Sequence, residues 1–518
     1  MDKTDQHIIL DLNIKNLINP CVTSYGTNKL IEMLNYTLFD ENLLMRRQEI
    51  LLELLKNQEK VANLTKILYS IKEKEVHLNE IINSHELMEG TYFEYNFLNW
   101  SYILTLYNNF KSYFAIVVII VYLLIYMIYK YSGISINLTN FFTIIYNGYV
   151  NMSTQMLNNI IKNQSITFNL AKIFAITYIM YQAYTISTVT FGCWSHNKKL
   201  RQIKQNYNLT IELIKDIEAL YDTDTILKYE KRIIGDNLDN LDDNFCENKK
   251  IGDILIACKN VNNYLNDFRR IVQYVGTIDA FITLSKMLGN GYTLPIYVND
   301  EKPYVSIENL YNPTINYETE VINNDFQIDN QIMIITGPNK SGKSTYMQSV
   351  LLAILLSQTW GISPCSKIVL TPFKKIIMSQ SNKSFNESVS EYHKILNIIR
   401  ETDGFVFTGI DNLLSNTYTK EGIACSYAIT DQLSKAPNAL SIIATQYDKI
   451  CTQNIDNGYN VATYKKFEAI YDTIKSKYIF PYILKDGVSN QSIAIHLLEE
   501  KGFNQVLIRN ALLKLRTL

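Results

Sequence analysis

"QIMIITGPNKSGKSTYMQSVLLAILLSQ", Gln331 to Gln358, carries the strongest pattern in the chain. Ile332 to Ile335 read as a buried strand, Gly337 to Ser344 fit G-x-x-x-x-G-K-S/T, and an apolar helix follows at once. Such a loop turns successive backbone N–H groups toward phosphate oxygens at a helix N-terminus. Gly337, Pro338, Asn339, Lys340, Ser341, Gly342, Lys343, Ser344 and Thr345 form the candidate nucleotide-binding set. Lys343 is expected to reach the β and γ phosphates and Ser344 to bind Mg²⁺, so ATP and Mg²⁺ are the expected ligands.

Two further strands belong beside the first. "GFVFTGIDN", Gly404 to Asn412, ends in Asp411, placed to hold the metal through Ser344 or water. Thr408 and Gly409 make this strand less apolar than usual. In most such enzymes the residue after the aspartate is a glutamate that polarises the attacking water; here it is Asn412. "ALSIIATQYDK", Ala439 to Lys449, is another buried strand, with Gln446 at its end as a candidate γ-phosphate sensor. Short β-runs alternating with helices after about residue 291 mark an α/β domain.

Upstream the texture is helical. At 518 residues the chain exceeds one core, and 9 Pro with 19 Gly favour long helices over extended loops. Apolar residues three and four apart run through residues 1–110 and 196–290. Between them lie "YFAIVVIIVYLLIYMIY" (Tyr113 to Tyr129) and "IFAITYIMYQAYTISTVTFGCW" (Ile173 to Trp194), both uncharged. Each is long enough to cross a bilayer, and a loop without acids joins them. Lys198, Lys199, Arg201 and Lys204 follow the second segment. The expectation is a two-helix transmembrane hairpin over 111–195, with both large flanks in the cytosol. Extraction at high pH without detergent should then leave the chain in the pellet. The competing reading buries these segments at a protein interface.

Bulk properties narrow the classes. The formal net charge is −1, so no overall basic excess points to nucleic acid. Seven Cys and six His show no metal spacing, which argues against a zinc site or disulfide framework. No small-molecule substrate other than nucleotide is evident.

The stretch "TGPNKSGKSTYMQS" resembles the signature of the MutS family, TGPN-x-x-GKST-Y-M. "ATQYDKI" is similar to that family's ATHY-x-x-L, and "LKDGVSNQSIAIHLLEEKGF" to its L-x-PGVSDQS-x-GIHVA segment. More faintly, "NPCVTSYGTNKLIEML" and "LLMRRQEILLELLKN" resemble the start of the family's lever helices, and "TIDAFITLSKML" the point where the levers return. The resemblance implies a dimeric ABC-class ATPase with long levers, DNA as the family's partner, and dimer contacts from the helices after Phe503. It implies the order helical lever 1–110, apolar hairpin 111–195 where the family has its clamp, second lever part 196–290, and ATPase domain 291–518. No mismatch-reading domain is recognisable, and Phe93-Glu94 is read as an ordinary segment rather than a wedge.

The same resemblance assigns individual roles. The catalytic glutamate falls on Asn412 and the sensor histidine on Gln446. The adenine-stacking phenylalanine falls on Val321, beside a matching Ile322, and His496 is placed to border the base. Ser384 is the candidate for the hydroxyl offered to the partner's γ-phosphate, and Glu391 matches a family glutamate. Phosphate and magnesium ligands are kept while the water-activating groups are altered. That favours ATP-driven closure with slow turnover, in a membrane-anchored dimer that moves its levers. The alternative is a mismatch-repair homologue that binds DNA in an ATP-dependent way. A scaffold with no nucleotide chemistry is disfavoured by the intact loop.

Overall fold

Ile332–Thr336 is buried at every position, as an apolar run between parallel neighbours must be. In the computed structural model the strands in chain order are β1 (Asp2–Lys3), β2 (Tyr36–Thr37), β3 (Ile296–Tyr297), β4 (Val305–Leu310), β5 (Asn324–Gln327), β6 (Ile332–Thr336), β7 (Lys367–Leu370), β8 (Lys375–Ser379), β9 (Val406–Asp411), β10 (Ala439–Thr445), β11 (Ala462–Lys466), β12 (Ile470–Asp472), β13 (Lys477–Ile479) and β14 (Lys485–Asp486). The helices are α1 (Ser24–Leu34), α2 (Glu41–Lys56), α3 (Gln58–Glu73), α4 (Glu75–Ser84), α5 (Ser101–Tyr131), α6 (Gln164–Thr223), α7 (Lys228–Asn244), α8 (Ile251–Lys259), α9 (Leu265–Leu288), α10 (Lys343–Thr359), α11 (Phe385–Glu401), α12 (Thr419–Ser434), α13 (Ala494–Glu500) and α14 (Gln505–Leu515). The described residues are 21–84, 100–131, 164–224, 227–315 without 248, 321–379 without 329–330, 385–451 without 415–416, 462–515 without 473–476 and 492, and isolated positions outside these runs.

One sheet organises the α/β part of the chain, in the order β14-β11-β6-β10-β9-β8. β11, β6, β10, β9 and β8 run parallel, and β14 joins antiparallel to β11. β9 and β10 are buried throughout, which leaves their polar side chains to pair inside: Thr408 Oγ1 donates to Ser441 Oγ at 2.8 Å. Gly409 is explained by packing. A Cβ there would lie 2.5 Å from Leu351 Cδ1, on helix α10. That helix is buried from Val350 to Thr359, so its sequence is apolar around its circumference. A second sheet, β3-β7-β4-β5, and the antiparallel pair β12-β13 lie in the same part of the chain.

The chain divides into two units. One comprises residues 1–72, 220–231 and 272–518, the other 73–219 and 232–271. In the first, Asp279 on α9 ties the start of α1. Its carboxylate accepts from Val22 N, Thr23 N and Thr23 Oγ1 at 3.0, 2.7 and 2.7 Å. Gly26 and Gly276 permit the approach, since a Cβ on Gly26 would sit 2.5 Å from Asp279 Oδ2 and one on Gly276 would sit 2.7 Å from Tyr25 O. In the second unit, His77 and Thr210 share a buried hydrogen bond of 3.0 Å, and Phe245 packs edge-on against Phe268.

The transmembrane hairpin is corrected. Among the described residues, no helix is long and apolar enough to cross a membrane, so neither the hairpin within the fold class nor the multi-pass membrane location stands. Each apolar segment, read alone, has spanning length. In the structure each is a section of a longer helix with a polar stretch, 31 residues for α5 and 60 for α6. Those stretches are hydrogen-bonded sideways: Cys193 Sγ donates to Lys111 O at 3.2 Å, and Asn197 Nδ2 to Ser112 O at 3.3 Å. The architecture is long helices with an α/β P-loop domain.

Candidate nucleotide site

The loop after β6 is shaped by backbone that only certain residues hold. Gly337 and Gly342 have φ of 151° and 102°, and Lys340 has 69°. A Cβ on Gly337 would meet Phe467 O at 2.6 Å. Gly342 caps α10, so the helix N-terminus faces the loop's interior. Lys343 is buried and donates to Gly337 O at 2.8 Å and Pro338 O at 3.0 Å. Burial holds its pKa below the usual lysine value, opposed by the charge of Asp411.

Ser344 Oγ donates to Asp411 Oδ1 at 2.9 Å, joining helix α10 to the end of β9. Asp411 is buried, and burial raises its pKa against the Ser344 hydrogen bond and the Lys343 charge. A hydroxyl and a carboxylate side by side are hard oxygen donors that suit Mg²⁺. The residues present therefore fit the metal that the loop implies.

A cavity of about 700 Å³ opens at this loop. Asn339, Lys340, Gly342, Lys343, Ser344, Thr345, Ile322 and Asn412 of the expected set line it. Asn412 takes a left-handed φ of 53°, and its N–H donates to Ala444 O at 2.8 Å. Gln446 is exposed beyond the end of β10 and is not among the lining residues. Val321 is exposed. His496 sits with Tyr471 and Tyr478, ring centroids 6.5 and 5.5 Å away, and is not among the lining residues. Ser384 lies outside the described residues, as do Phe93 and Glu94.

Several lining residues escaped the sequence reading. Tyr482, Tyr311, Asn312, Asn324 and Phe467 all face this cavity. Tyr482 has a φ of 55°, and its ring would lie 3.0 Å from a Cβ at Gly342. Asn324 fixes that segment, donating to Tyr482 O at 3.0 Å and accepting from Leu484 N at 2.7 Å. The segment that follows is pinned too: Ser489 N donates to Thr336 Oγ1 at 2.7 Å, and Gln491 exchanges hydrogen bonds with Ala469 at 2.8 and 3.1 Å. Ser489 and Gln491 belong to the GVSNQS stretch, which gives that signature a structural purpose. It clamps the strand end that leads into the phosphate loop.

Residues 333–518 match the family model for MutS domain V. The chain is similar to the DNA mismatch repair protein MSH3 of Meyerozyma guilliermondii, 26% identical over 272 residues, which is 49% of this chain and 28% of that protein. It is 23% identical over 303 residues to the DNA mismatch repair protein MutS of Pseudothermotoga lettingae, 56% of this chain and 35% of that protein. The MSH3 of Candida albicans is 25% identical over 326 residues, 57% of this chain and 30% of that protein. The chain thus matches about a third or less of the length of these relatives.

Proposed function

We propose that this chain, a member of the MutS family, is an ATP-binding, DNA-associated protein that closes into a dimer on ATP and turns the nucleotide over slowly. The observation that supports the reading is the Ser344–Asp411 hydrogen bond beside the phosphate loop, with Asn412, where the family resemblance expects a glutamate, lining the same cavity. Bound Mg²⁺ would supply Lewis-acid charge on the phosphates through this couple. Lys343 would leave the loop carbonyls for the β and γ phosphates. Burial disfavours charge on both Lys343 and Asp411, and a phosphate–metal ligand would bring each its opposite charge. Tyr482 and Ile322 offer apolar faces for the base.

An asparagine can hydrogen-bond a water and cannot take its proton. Loss of a general base lowers turnover by about two to four orders of magnitude. The relatives' names point to DNA mismatch repair, and ATP-dependent DNA binding is the reading adopted for this chain.

The test is steady-state ATPase and ATP-dependent association of the full chain beside two variants. Lys343→Ala should abolish ATP-dependent association. Asn412→Glu should raise turnover. Wild-type turnover at the level of Asn412→Glu would show that another group activates the water. Absence of ATP binding would overturn the reading.

A further inference from the structure

Helices α5 and α6 enclose a cleft of about 290 Å³. One wall carries the rings of Tyr107, Phe110 and Phe114 together with Lys111; the other carries Val189 and Gly192. A Cβ at Gly192 would meet nothing within 4 Å, so the cleft has open space at that point. Phe110 and Phe114 stand 5.2 Å apart with rings tilted 55°, and Lys111 Nζ lies 5.6 Å over the Tyr107 ring. Farther along α6, Phe191 and Trp194 form a second ring pair at 5.9 Å, with Lys198 Nζ 5.7 Å over Trp194. These rings are exposed, Phe110 at 57%, Phe191 at 67% and Trp194 at 61%.

The charge around the rings has one sign. Neither α5 nor the stretch of α6 from Gln164 to Ile211 contains an acid. Lys198, Lys199, Arg201 and Lys204 are exposed in succession on α6. The whole chain is formally −1, so this concentration of cations is local. Exposed rings call for flat π-faced groups, and unopposed cations beside them call for a polyanion. Unpaired nucleotides supply both in one molecule, since base–aromatic stacking accepts any base and Lys and Arg follow the phosphates. A duplex hides its base faces and offers only the phosphates.

We infer that the α5–α6 cleft receives an unpaired base of single-stranded nucleic acid, whose phosphates run along Lys198, Lys199, Arg201 and Lys204. The inference deepens the DNA reading above by naming the form of nucleic acid and its place, and it rests on that reading. Its residues lie apart from the nucleotide loop in sequence, so the two fail separately.

The experiment is fluorescence anisotropy of the full chain with a labelled oligodeoxythymidine of about 20 nucleotides, a site size ample for stacking proteins. A matched duplex of equal length and phosphatidylserine-containing vesicles serve as competitors. The single strand should bind more tightly than the duplex. Gly192→Leu, which fills open space, and Phe110→Ala, at an exposed ring, should each weaken single-strand binding by roughly 5- to 100-fold, the worth of one stacked base. Lys198→Ala with Arg201→Ala should flatten the salt dependence by about 0.7 for each phosphate no longer neutralised. Equal binding of duplex and single strand, indifferent to Gly192→Leu and Phe110→Ala, would overturn the inference and leave the DNA reading standing. Binding displaced by vesicles but not by unlabelled oligonucleotide would assign the surface to lipid and overturn it as well. Measured without added nucleotide, Lys343→Ala should retain single-strand binding; a wild-type chain that binds the single strand but no ATP would count against the nucleotide reading alone.

Discussion

Asn412 shows why residue identity at this site is constrained by backbone as well as by chemistry. Its φ of 53° lies in the left-handed region, which asparagine enters more readily than most side chains. Asn412→Glu must hold the same backbone, so the gain in turnover should come with a stability loss of about 1 kcal/mol. Gly409 is constrained by space instead. Gly409→Ala would press a methyl against Leu351, which is buried in α10. We expect a loss of about 1–3 kcal/mol in urea unfolding, with Gly409→Ala soluble but less active. A neutral result would mean that α10 moves away from β9. The phosphate loop was legible because every residue that shapes it lies within a few positions of the next. Tyr482 and Asn324 were not, since their contact spans 158 residues and leaves no periodic trace. Tyr482 is among the cavity's lining residues, while His496 stands with Tyr471 and Tyr478.

At the scale of elements, the junction of α1 with α9 gathers its polar chemistry on one carboxylate. Asp279 serves three donors, so Asp279→Ala would strand two backbone N–H groups and a hydroxyl. Each stranded group costs about 1–3 kcal/mol. Urea unfolding should show a loss of about 3 kcal/mol or more, and Asp279→Asn, which keeps one acceptor, a smaller one. Equal losses would show that packing against Gly26 and Gly276 decides the junction. The same part of the chain is fastened to the P-loop helix. Trp360 Nε1 donates to Leu30 O at 3.2 Å, and Gln358 Nε2 donates to Leu38 O and Phe373 O at 2.8 and 2.7 Å. Buried strands and amphipathic helices were readable from apolar spacing, because a single element produces that signal. The membrane reading failed at this same scale. An uncharged window carries only local hydropathy, whereas burial and pairing are properties of the whole helix that contains it.

For the whole molecule, the buried histidines of one unit and the buried carboxyls of the other should respond to acid with opposite sign. His77 and His196 both belong to the unit of residues 73–219 and 232–271. Burial lowers the pKa of each below 6.5, with Lys111 adding to the effect at His196. A histidine lowered in the folded state binds fewer protons there than in the unfolded chain. Its stabilisation is therefore complete above about 6.5, the unfolded value, and is lost as pH falls from there toward the folded value. Asp279 and Asp411 belong to the other unit, and burial raises both. A raised carboxyl binds more protons folded than unfolded, so acidification does not destabilise through it. Asp267, also raised by burial, carries that same sign within the histidine-bearing unit and opposes the loss there. Hydrogen exchange at about pH 7.5 and again near pH 5.5, on either side of the unfolded histidine value, is the measurement. After correction for intrinsic rates, protection should fall in residues 73–219 and 232–271 while β6, β9 and β10 keep theirs. His77→Gln should remove part of that difference, since a neutral amide retains a hydrogen bond to Thr210 without a proton to take up. Uniform loss of protection across both units would show that they unfold as one body, and that the histidines act on the whole chain.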